Sequence, residues 1–130
     1  MNRRILCAGL LALLWLATAC ATVSPLATSP KDTKALAGTW EEEWPGQTTK
    51  DRYRIDVNGD AIAIMPLVNA DKQKTRNIVF QQKQLTFYLD MEDGAVFYDL
   101  VLINKDVLSG RARGGRRNFD EPVVWYHVHE

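Results

Sequence analysis

Residues 52–67 read RYRIDVNGDAIAIMPL, and the order of apolar and polar side chains here decides the fold class. Tyr53, Ile55 and Val57 fall on one side of an extended chain, while Arg52, Arg54 and Asp56 fall on the other. Side chains of a strand alternate between its two faces, so this is a half-buried strand. Asn58-Gly59 follows, two residues tolerant of positive φ, as a tight type I′ hairpin turn requires. Ala61 to Leu67 is therefore expected to pair back on the preceding strand.

The pattern extends to both sides of the hairpin. Upstream, Gly38 to Trp44 forms a first strand. Downstream, Thr75 to Gln82 carries Ile78, Val79 and Phe80, and Leu85, Phe87 and Leu89 share one face of the next run. Met91-Glu92-Asp93-Gly94 turns the chain into Ala95 to Ile103, whose apolar residues on both faces suggest a strand covered on both sides or crossing between two environments. Asn104-Lys105-Asp106 leads into Val107 to Arg113, and Pro122 to Val128 closes the series, with Pro122 suited to a strand's first position. The expectation is an all-β fold without helices: a single small antiparallel meander of about eight strands, closed or partly closed as a barrel. Closure removes the unpaired edges that an open meander must defend.

Residues before this domain have a different character. Arg3 and Arg4 precede a nearly unbroken apolar run from Ile5 to Leu16, the layout of a secretory signal. The run is shorter than the ~20 apolar residues of a membrane-spanning helix. Leu16-Ala17-Thr18-Ala19-Cys20 follows, and it resembles the lipobox of bacterial lipoproteins. That resemblance implies removal of residues 1–19 and acylation of Cys20, with acyl chains as the link to a membrane. Two or three such chains hold a protein there effectively for good. Ala21, where enterobacterial lipoproteins retained in the inner membrane carry Asp, implies the periplasmic face of the outer membrane in the cell envelope. The plainer alternative is an ordinary signal peptide cut near Ala19, with Cys20 an incidental thiol. Residues 21–35, ATVSPLATSPKDTKA, lack hydrophobic period and make residues 20–35 a lipidated cysteine and flexible linker ahead of a domain over 36–130.

Composition narrows the function classes. The chain carries 16 Lys+Arg against 16 Asp+Glu, and loss of Arg3 and Arg4 leaves 14 against 16, so no basic bias points to nucleic acid. Cys7 and Cys20 are the two cysteines, which leaves the domain itself without a disulfide, a thiolate metal ligand or a Cys nucleophile. Both histidines, His127 and His129, sit at the end of the chain, so an imidazole base for Ser chemistry is disfavoured. A carboxylate pair such as Asp90 with Asp99 is selected by nothing in the sequence. No enzyme activity and no cofactor are expected.

Gly38-Thr39-Trp40 entering the first strand resembles the Gly-x-Trp opening of lipocalins and related calycin barrels. The resemblance implies a tryptophan that plugs one barrel end and packs against an arginine from late in the chain, Arg111 or Arg113. The aromatic residues from Trp40 to Tyr126, Phe119 aside, would either line a pocket for a hydrophobic ligand or fill so small a barrel as ordinary core, and the filled core is expected.

Three polar groupings stand out. Gly110 to Arg117 places Arg111, Arg113, Arg116 and Arg117 among glycines, which suits phosphate or carboxylate, or else a mobile hairpin loop paired with Asp120 and Glu121. Glu41-Glu42-Glu43 lies between Trp40 and Trp44, and three consecutive acids on a strand must put at least one inward or at an edge. His127 and His129 share a strand face, but two ligands do not make a metal site, so none is expected. The expected function is that of a membrane-tethered, non-catalytic envelope lipoprotein that binds another envelope protein or anionic envelope lipid through the four arginines with Trp40 and Trp44. The alternative is a lipocalin-like carrier of a small hydrophobic ligand.

Overall fold

A computed structural model describes residues 29–129, and in it the 52–67 hairpin forms as its pattern requires. Strands β2 (Arg52–Asn58) and β3 (Ala61–Pro66) pair with Asn58 opposite Ala61, and Tyr53, Ile55 and Ile64 turn inward to full burial. The remaining elements are α1 (Pro30–Ala35), β1 (Gly38–Glu43), β4 (Lys74–Gln81), β5 (Gln84–Met91), β6 (Gly94–Asn104), β7 (Val107–Gly114) and β8 (Phe119–Val128). Eight antiparallel strands make one sheet in the order β3-β2-β1-β8-β7-β6-β5-β4.

Only one neighbour relation in that order is non-local. β1 pairs with β8, from Thr39 opposite Val128 to Glu43 opposite Val124, and this ladder curls the meander around a single interior. The two outermost strands, β3 and β4, then meet at a seam where the Thr75 hydroxyl donates to the Ile64 carbonyl at 2.6 Å. The result is a nearly closed barrel. Its middle is filled: Trp125 stacks on Tyr53 at 4.3 Å, Phe87 stacks on Tyr98 at 4.7 Å, and Phe87 and Tyr98 each lie 5.7 Å from Trp125. Rings of this size bury a large apolar area in few residues, which is how so short a chain builds a core.

Several local expectations are corrected. β6 is one-sided: Val96, Tyr98, Leu100 and Leu102 are buried, whereas Val101 and Ile103 are 41% and 60% exposed, because a barrel interior accepts only one face of each strand. β8 starts at Phe119, so Pro122 is not its first residue. The proline is tolerated because β1 reaches only as far as Val124, leaving the Pro122 edge unpaired on that side. The segment expected as linker contains a short helix, α1, with Pro30 in its first turn, where a missing N–H costs nothing. Its C-cap residue Leu36 is completely buried, and the Leu36 carbonyl accepts a 2.8 Å hydrogen bond from the Trp40 indole. α1, Leu36 and Trp40 thereby close one end of the barrel. The Trp40 ring does not meet Arg111 or Arg113; it stacks on His127 at 4.6 Å. The glycine-rich arginine segment is not a long loop either, since Gly110 to Gly114 belong to β7 and the turn spans 115–118.

Two backbone positions show how tightly the ladder is drawn. At Gly110 a Cβ would sit 1.9 Å from the Asp99 carbonyl oxygen of β6, so only glycine allows the strands to approach. At the β4–β5 turn, Gln82 and Lys83 both hold positive φ, 50° and 66°, the geometry that Asn-Gly adopts without strain. Gly110→Ala is expected to cost about 1–3 kcal/mol through backbone displacement, while Gln82→Asn with Lys83→Gly is expected to gain on the order of 0.5–1 kcal/mol, because relief of the left-handed backbone outweighs the added freedom of the unfolded chain. Urea unfolding of the two variants checks both signs.

Candidate functional site

The end of the barrel opposite α1 is open, and its floor is set by strand parity. Trp40 points into the barrel, so Glu41 points out, Glu42 in and Glu43 out. Glu41 pairs on the surface with Arg52 at 3.0 Å and Lys50 at 3.3 Å. Glu42 is driven to 1% exposure, opposite Trp125 in the β1–β8 ladder. One carboxylate oxygen accepts the Trp44 indole N–H and the other accepts that of Trp125 at 2.7 Å. The Tyr98 hydroxyl also bonds the carboxylate, and it lies 3.5 Å from the Tyr53 hydroxyl.

Burial pushes the Glu42 carboxyl above its ordinary range, with the nearby Asp51 charge adding to the rise, while the donors from Trp44, Trp125 and Tyr98 hold it back. Burial likewise raises both tyrosines, and the Glu42 charge reinforces it. Ionisable groups displaced this way inside a cleft are candidates for binding or chemistry.

Above Glu42 lies a half-open cavity of about 470 Å³. The ends of β1, β2, β5 and β6 and the β7–β8 turn supply its walls, because antiparallel strands bring alternate turns to the same rim. Trp44, Tyr53, Tyr98 and Phe119 give it aromatic faces, with Trp44 edge-on to Phe119 at 5.6 Å, and Leu89, Met91 and Val96 add aliphatic surface. The charged lining is Glu42, Asp51 and Glu121 against Arg117. An acidic floor with aromatic walls is suited to an amine or other strong hydrogen-bond donor carried on an apolar body.

The residues singled out in the sequence do not form one patch. Trp44 and Arg117 line the cavity, and Arg116 lies on the adjoining turn. Trp40 is fully buried at the closed end, unable to meet a partner. Arg111 is tied to Asp120 at 2.7 Å, and Arg113 lies 4.0 Å from Asp99 and 5.5 Å over the Phe97 ring. Cys20 falls outside the described residues. At the closed end His127 and His129 are joined by Asp106, whose sequence context is that of an ordinary turn residue. Glu42, too, was readable only as one of three acids; the parity set by Trp40 was the available signal.

The fold and cavity together define a small β-barrel with the form of a binding or ligand-carrying module. Comparison with protein-family models, curated proteins and solved structures finds no match to the chain. Among the described residues no helix is long and apolar enough to cross a membrane.

A carboxyl whose folded pKa exceeds its unfolded value binds its proton more tightly in the folded state, so its contribution to stability is full below the unfolded value and declines as pH rises toward the folded one. Relative to Glu42→Gln, the native protein should therefore lose stability as pH rises above the ordinary value of 4.5, then run parallel at higher pH. Urea midpoints of both proteins across pH 4 to 8, approximate bounds chosen to bracket such a shift, provide the measurement. Parallel curves throughout would mean that the carboxyl titrates normally.

Proposed function

We propose that this chain is a non-catalytic, lipid-anchored carrier or receptor that takes a small molecule, apolar in body and with a cationic or donor head, into the open mouth of the barrel. The carrying observation is the buried Glu42 at the cavity floor. A carboxyl taken out of water is expensive unless its partners repay the desolvation, and an apolar side chain there would serve packing better. Its position under aromatic walls supports a role in holding a complementary head group. The filled middle of the barrel restricts the ligand to the mouth, so it would be compact rather than a long lipid.

The anchor belongs to the same proposal. The chain enters the barrel at α1, the closed end, so a tether running from an acylated Cys20 would leave the mouth directed away from the bilayer. A second reading, docking on an anionic headgroup or acidic envelope protein, is favoured by Arg116 and Arg117, which are exposed beside the mouth without an ion-pair partner among the described residues.

The deciding experiment uses the full chain extracted from membranes in detergent. Titration with small aryl-alkyl amines should quench or enhance tryptophan fluorescence saturably, and Glu42→Gln or Trp44→Ala should weaken binding by about tenfold or more, the equivalent of one charge-assisted contact. Native mass spectra that show bare protein, together with no saturable response to any amine, would sink the carrier reading. Loss of vesicle binding on Arg116→Ala with Arg117→Ala would then favour the second. Separately, Cys20→Ala should abolish acyl incorporation and release the protein from membranes.

A further inference from the structure

We propose that Asp106, His127 and His129 form a three-ligand site for a divalent first-row transition ion of the zinc type at the closed end of the barrel. Ligand-capable atoms of the three residues all lie within 4.8 Å of one another. His127 and His129 project from the same side of the end of β8, and Asp106 belongs to the β6–β7 turn. Two backbone features hold that turn in place. The Asp106 N–H donates to the Asn104 side-chain oxygen at 2.8 Å, and the His127 N–H donates to the Asp106 carbonyl at 2.9 Å.

The His127 ring is the most restrained ligand. It lies flat on Trp40, 4.6 Å away and 8° from parallel, and its Nε2 faces Gly38, where a Cβ would stand 2.3 Å off. With Nε2 turned toward the backbone, Nδ1 is left toward Asp106, 3.9 Å from its Oδ1 and 3.3 Å from the Lys105 carbonyl. His129 Nε2 lies 2.6 Å from the same Oδ1. Ligands around a tetrahedral ion at roughly 2.0–2.1 Å stand about 3.3 Å apart. Seating an ion therefore asks His129 to back off Asp106, His127 to approach it, and the two imidazole nitrogens to draw together within a group now spread over up to 4.8 Å, movements of roughly 1 Å per side chain.

An Asp–His ion pair accounts for the contact to His129, and the Trp40 stack with the Lys105 carbonyl places the His127 ring; a bound ion would replace the proton between Nδ1 and that carbonyl and engage both imidazoles with one carboxylate. His127 approaches the same oxygen, and its ring centroid lies 4.8 Å from that of His129. Two imidazoles and one carboxylate suit zinc or copper, whereas magnesium and calcium want oxygen alone. Three protein ligands leave a coordination position for water or for a group from another molecule. The site is about a barrel length from the proposed ligand mouth and does not rest on that reading.

The test titrates Zn²⁺ into the full chain, purified in detergent without a histidine tag, and follows binding by calorimetry. One ion per chain is expected, with at least about a tenfold loss of affinity in each of His129→Ala, Asp106→Asn and His127→Phe. The phenylalanine keeps a flat ring on Trp40, and unchanged circular dichroism shows that the barrel persists. Cu²⁺ in place of Zn²⁺ should quench part of the tryptophan emission of the native chain, through the His127 ring stacked on Trp40, and not that of His127→Phe. Absence of Zn²⁺ binding, or equal affinity in the native chain and His129→Ala, would overturn the proposal.

Discussion

Pairing between the first and last strands is the constraint on which the remainder rests. Every other ladder joins sequence neighbours and could form in an open, twisted sheet, but β1 against β8 draws positions some eighty residues apart into register. That register puts Trp40 opposite His127 and Glu42 opposite Trp125. Closing such a loop costs chain entropy that local contacts do not repay. The stacked rings of Trp125, Tyr53, Phe87 and Tyr98 repay it, because they can be shielded from water only once the sheet has curled. Both sites are by-products of this one ladder: the carboxylate between two indoles at one end and the imidazole group at the other.

What could be read in the sequence was what depends on local alternation. Tyr53, Ile55 and Val57 announced a face, Asn58-Gly59 a turn, and the eight runs of alternating residues a meander whose strands pair in order. The same logic placed the aromatic residues in a filled core. Illegible were the features decided across the barrel. The outer face of β6 reads like a core, since Val101 and Ile103 are no less apolar than their inward neighbours, and only the curvature of the sheet assigns them to the surface. Gln82-Lys83 lacks the usual turn residues, so its left-handed backbone is imposed by the register of the flanking strands. α1 is six residues long, too short to fold by propensity, and exists because Leu36 and Trp40 close the barrel over it.

The candidate sites show the same division. Trp44 and Arg117 were visible as unusual residues and do reach the cavity. Arg111 and Arg113 looked equally unusual but spend their charge on neighbouring strands, where Asp120 and Asp99 stand beside them in the ladders. Whether an arginine faces a neighbour or a ligand depends on register, which one strand's own sequence does not carry. Asp106 reads as a turn residue and becomes interesting only when the end of β8 passes above it.

The two ends of the barrel differ in kind, and the filled middle keeps them apart. The mouth presents acids and aromatic faces around an accessible cavity; the closed end presents imidazoles and a carboxylate on a surface backed by Trp40. Between them lie the packed rings of Tyr53, Phe87, Tyr98 and Trp125. β1 and β8 reach both ends: Trp40 and Glu42 are consecutive inward residues on one strand, and His127 and Trp125 stand opposite them on the other. A packed interior leaves little room for one strand to slide against the other, so the register of this one ladder sets the geometry of both ends together.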